Sequence, residues 1–166
     1  DAVMLSGETA VGRYPVETVK TMDRIVREAE AIAAPPSRHA SSRTSQAHAV
    51  CHAAVALADE VGATALAAFT SSGRTVQILS MLRPAAPIFA FCGDEETGRR
   101  LALWRGVMPL TMHLGAHTDQ TTQMIGAELR ERDLVPPGAD VVVVGASRTG
   151  GGRRTNLVRL LHISSA

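Results

Sequence analysis

The chain has 166 residues, 45% of them hydrophobic but only 3% aromatic, so its core must be built from Ala, Val, Leu and Ile. A formal net charge of +1 gives no reason to expect nucleic acid or an anionic membrane as partner, and no run reaches the roughly 18 apolar residues a membrane span needs. The first residues carry no secretory pattern, and Cys51 and Cys92, without CxxC spacing, read as buried reduced thiols of a cytoplasmic protein.

Residues 2–5 are a short apolar run suited to a buried strand, and Ser6-Gly7-Glu8-Thr9 brings polar groups to its end. Apolar residues at Val16, Val19, Met22, Ile25, Val26 and Ala29 mark one face of a helix that begins near Pro15. Nothing in the chain supplies a surface to cover that face, so Val19, Met22 and Val26 are expected to be partly exposed. Opening inside an apparent strand, the sequence reads as a piece of a longer protein. Pro35 and Pro36 stop the helix, and small polar residues continue as an extended linker over 35–44.

From residue 45 the pattern alternates. A helix from Ser45 to Val61 ends at Gly62, and Ala65 to Phe69 reads as a strand. A helix from Thr75 to Leu82, a strand from Pro87 to Phe91 and a helix capped by Asp94 and running to Trp104 follow. Val107 to Leu110 is a strand, Thr118 or Asp119 starts a helix to Glu131, and Asp140 to Gly145 is a fully apolar strand bounded by turns. After a Gly-rich loop comes a last strand from Asn156 to Ile163. Strands alternating with helices predict an α/β three-layer sandwich with a mostly parallel five-stranded sheet. The last connection holds no helix, so the final strand is expected to run antiparallel.

Thr70-Ser71-Ser72-Gly73-Arg74-Thr75 lies where a strand gives way to a helix. Free backbone N–H groups and the helix dipole favour an anion there, Gly73 permits close approach, and the hydroxyls and Arg74 add donors. A phosphate is the natural guest; a simple helix cap with a surface arginine is the alternative. His48 with His52, and His113 with His117, share i,i+4 spacing but lack a third ligand, and read as surface or packing residues.

Met4-Leu5-Ser6-Gly7-Glu8-Thr9-Ala10, followed by Gly12 and Tyr14-Pro15, closely resembles the signature of pyruvate kinases at the last strand, loop and helix of their catalytic barrel. The second region is similar to the C-terminal domain of the same family through Phe69-Thr70-Ser71-Ser72-Gly73-Arg74-Thr75, Pro87-Ile88-Phe89-Ala90-Phe91, Leu103-Trp104-Arg105-Gly106-Val107 and Thr155-Asn156-Leu157-Val158-Arg159. The resemblance implies a remnant of a (β/α)8 barrel over 1–34, the linker over 35–44, and an allosteric and tetramer-forming domain over 45–166. It implies phosphoryl transfer from phosphoenolpyruvate to ADP, giving pyruvate and ATP in glycolysis, with Mg2+ and K+ bound by parts of the parent enzyme that this piece does not hold. Ser6, Glu8 and Thr9 would be the fraction of the catalytic site present, with Ser6 and Glu8 near the enolpyruvate, so the piece alone should be inactive.

The same resemblance places an effector phosphate on Thr70, Ser71, Ser72, Gly73, Arg74 and Thr75. Its second wall would be the loop carrying Arg148, Gly151, Gly152, Arg153 and Arg154, whose glycines allow movement and whose arginines supply charge. A solvated basic turn is the alternative. Many members read Gly-Thr-Thr-Asn here, and Arg153-Arg154-Thr155-Asn156 departs from that, leaving the ligand open between fructose bisphosphate, a sugar monophosphate and a nucleotide. The segment around Trp104 is like the monophosphate-activated bacterial forms and favours a sugar phosphate or AMP-type effector, with Trp104 itself a core or interface residue. Homo-oligomerisation and contact with the missing barrel follow from the resemblance. A stand-alone module that binds sugar phosphates or nucleotides without catalysis, or one that works only through its surfaces, are the competing readings.

Overall fold

The computed structural model describes residues 2–32, 45–113, 115, 117–147 and 154–164. The chain divides into two units, Asp1–Ser37 and Arg38–Ala166. The linker expected over 35–44 lies outside the described residues.

The first unit holds α1 (Gly7–Ala10) and α2 (Pro15–Ile32). Pro15 occupies the first helical position, where its missing N–H is no loss. The strand expected over residues 2–5 is not formed. A strand exists only through hydrogen bonds to a neighbour, and no other described segment of this unit is extended beside it. None of α2 is buried: Val19 is 54% exposed and Met22 and Val26 are half-buried, as the uncovered apolar face required.

The second unit runs α3 (Gln46–Val61), β1 (Ala65–Thr70), α4 (Arg74–Met81), β2 (Ile88–Cys92), α5 (Glu95–Leu101), β3 (Val107–Thr111), α6 (Thr118–Glu131), β4 (Asp140–Gly145) and β5 (Leu157–His162). The starts and stops have local causes. Ser45 Oγ accepts from the His48 N–H and Gly62 closes α3 at φ 63°. The Asp94 carboxylate accepts from the Thr97 N–H at 2.8 Å and opens α5. That helix ends at Leu101, short of the expected Trp104, because the chain must turn through Gly106, at φ 71°, to enter β3. Trp104 is half-buried and packs against the core.

The five strands form one sheet in the order β3-β2-β1-β4-β5. All neighbours are parallel except β4 and β5, which are antiparallel with Asp140 opposite His162 and Gly145 opposite Leu157. Alternation along each strand splits the core into two layers. Leu66, Ala68, Ile88, Ala90, Val142 and Val144 meet α3, α4 and Leu101 of α5 on one face. Ala65, Ala67, Phe89, Phe91, Val141 and Val143 meet Ile125 and Leu129 of α6 on the other. Each of the larger buried side chains contributes about 1.5–3 kcal/mol relative to exposure. The mixed five-stranded α/β sandwich expected from the sequence is the fold observed.

Candidate functional site

The strand order reverses at the junction of β1 and β4: the chain leaves β1 towards β2 and β3, then returns to the other side of β1 as β4. At such a junction the connections leave in opposite directions and open a crevice at the carboxyl ends of the two strands. A cavity of about 650 Å³ occupies that place.

Its walls come from several elements. Thr70, Ser71, Ser72, Arg74 and Thr75 line it from the β1–α4 turn, and Ala146, Arg154 and Thr155 line it from the segments flanking the Gly-rich loop. The first turns of α3 (Gln46 and Ala47, with the capping Ser45) and of α6 (Thr118 and Thr121, with the capping His117) complete it. Helices packed antiparallel to a parallel sheet direct their N-termini to its carboxyl edge, so α3, α4 and α6 all present positive dipole ends here. Arg74, Arg154 and His117 are exposed, and no Asp or Glu is among the described lining residues. The cavity's lining thus turns helix N-termini, hydroxyls and two arginines towards one space.

The β1–α4 turn is shaped by its own hydroxyls. Thr70 Oγ1 accepts from the Gly73 N–H at 2.9 Å, and Gly73 takes φ 82°, a conformation that favours glycine. A Cβ at Gly73 would also stand 3.0 Å from Leu101 Cδ2, so the turn is pressed against α5. Thr75 Oγ1 and Thr155 Oγ1, both buried, share a hydrogen bond of 2.7 Å. It ties the start of α4 to the segment after the Gly-rich loop. Thr70 and Thr75 therefore fix the turn, whereas Ser71 and Ser72 are exposed and available to a guest. α4 starts without a side-chain cap hydrogen bond.

The base of the Gly-rich loop is also fixed. Asn156 accepts from the Ser147 N–H through Oδ1 and donates to the Ser147 carbonyl through Nδ2, while its own N–H meets the Gly145 carbonyl at 3.0 Å. Arg148, Gly151, Gly152 and Arg153 lie outside the described residues.

In the first unit Ser6, Glu8 and Thr9 are brought together on one turn. The Glu8 carboxylate accepts from the Ser6 N–H at 3.1 Å, and Thr9 Oγ1 donates to the Ser6 carbonyl at 3.3 Å. Backbone N–H groups of Glu8 and Ser6 hold the Glu8 carboxyl below its ordinary range. Elsewhere, burial pushes the Cys51 thiol up to about 12 and raises that of Cys92, so neither is a ready nucleophile. Among the described residues no group of three or more His, Cys, Asp or Glu is placed to hold a metal ion. His48 and His52 lie half-buried on α3; His113 precedes α6 and His117 caps it, so that pair is not a helical one.

The expected site thus omitted three contributors: the starts of α3 and α6, and Phe69. The positions where these helices begin are legible in the sequence, but only the strand order shows which helices share an edge.

The pyruvate kinase alpha/beta domain family matches residues 48–161. The chain belongs to that family. It is 34% identical over 160 residues to pyruvate kinase 2 of Synechocystis sp., covering 96% of this chain and 27% of that protein. It is 36% identical over 165 residues to the pyruvate kinase of Mycobacterium intracellulare, covering 98% of this chain and 34% of that protein. A crystal structure of a pyruvate kinase from Cryptosporidium parvum superposes with a TM-score of 0.83 at 27% identity, covering 97% of this chain and 32% of that one. The chain therefore spans about a third or less of the length of these pyruvate kinases.

Proposed function

We propose that this chain is the C-terminal part of a cytoplasmic pyruvate kinase and that its cavity is the regulatory site for a phosphorylated metabolite. The observation that carries the reading is the convergence of three helix N-termini, Arg74 and Arg154 on one crevice, with no carboxylate among its described lining residues. A phosphate seats on Ser71, Ser72 and the free N–H groups at the start of α4, with Arg74 and Arg154 supplying charge. A sugar phosphate or AMP-type ligand fits this chemistry.

The parent reaction, phosphoryl transfer between phosphoenolpyruvate and ADP, is mostly positioning and charge neutralisation. Ser6 and Glu8 are its remnant here, in the polar network beside the enolpyruvate. The magnesium and potassium of the parent reaction belong, on this reading, to its other parts. The chain alone is inactive because the rest of the catalytic barrel belongs to other parts of the same protein, and the parent enzyme is a homotetramer.

Calorimetric titration of the chain with inorganic phosphate, a sugar phosphate and AMP tests the regulatory site. Saturable binding that falls at least tenfold in the paired Arg74→Ala and Arg154→Ala variant is expected. The absence of binding by all three ligands removes the reading.

A further inference from the structure

A phosphate fills only a small part of a cavity of about 650 Å³, a size that suits a whole small-molecule ligand. The wall that receives the rest of the ligand is set by Phe69. Of the three phenylalanines, Phe89 and Phe91 are buried in the core at 4% and 0% exposure, whereas Phe69 is half-buried and lines the cavity. The β1–β4 register pairs Ala68 with Val144, which brings Phe69 beside Gly145 one step on. There the ring leans over Gly145 so closely that any Cβ would collide with three of its carbons. Glycine inside a strand weakens it. Here it makes room for an aromatic ring that lines the β1–β4 crevice and packs against the second core layer.

Resting on the regulatory-site reading above, we propose that Phe69 is a specificity-determining contact that stacks on a planar base, so that the site prefers a nucleoside monophosphate to a sugar phosphate of the same phosphate charge. An aromatic platform beside a phosphate seat recognises both ends of such a ligand, and a saturated sugar cannot match the stacking.

The test compares AMP with ribose 5-phosphate, the same phosphoribose without its base, by calorimetry on the full chain, with inorganic phosphate as a third probe. The expected result is AMP binding at least about fivefold more tightly than ribose 5-phosphate, the lower end for stacking one base. Phe69→Leu should bring the two affinities together while leaving inorganic phosphate unchanged, and Phe69→Tyr should keep the preference. Nuclear Overhauser contacts between adenine and Phe69 ring protons in the unaltered chain provide a readout that needs no variant. Equal affinities in the unaltered chain, a preference that survives Phe69→Leu, or no adenine–Phe69 contact overturns the proposal while phosphate binding stands. Failure of all three probes to bind overturns the regulatory site itself.

Discussion

Gly145 and the pair Thr75–Thr155 are the positions where one atom decides the geometry of the cavity. Gly145→Ala places a methyl group inside the Phe69 ring, and overpacking of this kind costs about 1–3 kcal/mol. Urea unfolding of Gly145→Ala, Phe69→Leu and the double variant should show a coupling of the same sign, with the second change relieving the first. Independent, additive losses would contradict the packing described. Thr155→Val leaves the buried Thr75 hydroxyl without its partner, at about 1–3 kcal/mol, whereas Val at both positions should cost less than the two single changes combined. Cys51, buried and with its thiol donating towards the Thr75 carbonyl, should resist alkylation at pH 8 and react at the rate of unfolding. Fast labelling of the folded chain would show that this face of α3 is not packed against α4 and the sheet.

At the scale of elements, helix starts carry both stability and function. Asp94 caps α5, with the Thr97 backbone N–H first and its side chain second holding the carboxyl below the ordinary range. A lowered carboxylate stabilises the fold above its unfolded value of about 3.9, and that contribution fades as pH falls through the lower folded value. Asp94→Ala should therefore depress the melting temperature at pH 7, with the gap to the unaltered chain closing under acid. A gap that persists unchanged at pH 2 would assign the effect to something other than the ionised cap. Ser45 is a different case, because its cap serves a helix whose first turn lines the cavity. Ser45→Ala should cost about 1 kcal/mol in chemical unfolding and loosen that wall.

For the molecule as a whole, the legible part was whatever lies within one element and its flanks. The runs at 65–69 and 140–145, the cap at Asp94 and the stop at Gly62 are legible because burial, capping and left-handed turns act locally. The antiparallel last strand was readable because a connection without a helix cannot cross over. Two things were not. The strand over 2–5 failed because a strand is a partnership, and an apolar run cannot show whether a partner lies within the same unit. The cavity's full wall was hidden because the starts of α3 and α6 and the Phe69 ring meet Ser71 and Arg74 only through the order β3-β2-β1-β4-β5. The contacts of Thr70 Oγ1 with the Gly73 N–H and of Thr75 Oγ1 with Thr155 Oγ1 likewise depend on the folded turn and not on residue type alone. The central claim is that the crevice between β1 and β4 seats a phosphate at the start of α4. Amide-resolved NMR titration of the chain with inorganic phosphate addresses it directly: saturable shifts should centre on Ser71, Ser72, Gly73, Arg74 and Thr75, with Gly62 and Gly138 unmoved. Shifts that do not saturate, or that centre on other residues, would contradict it.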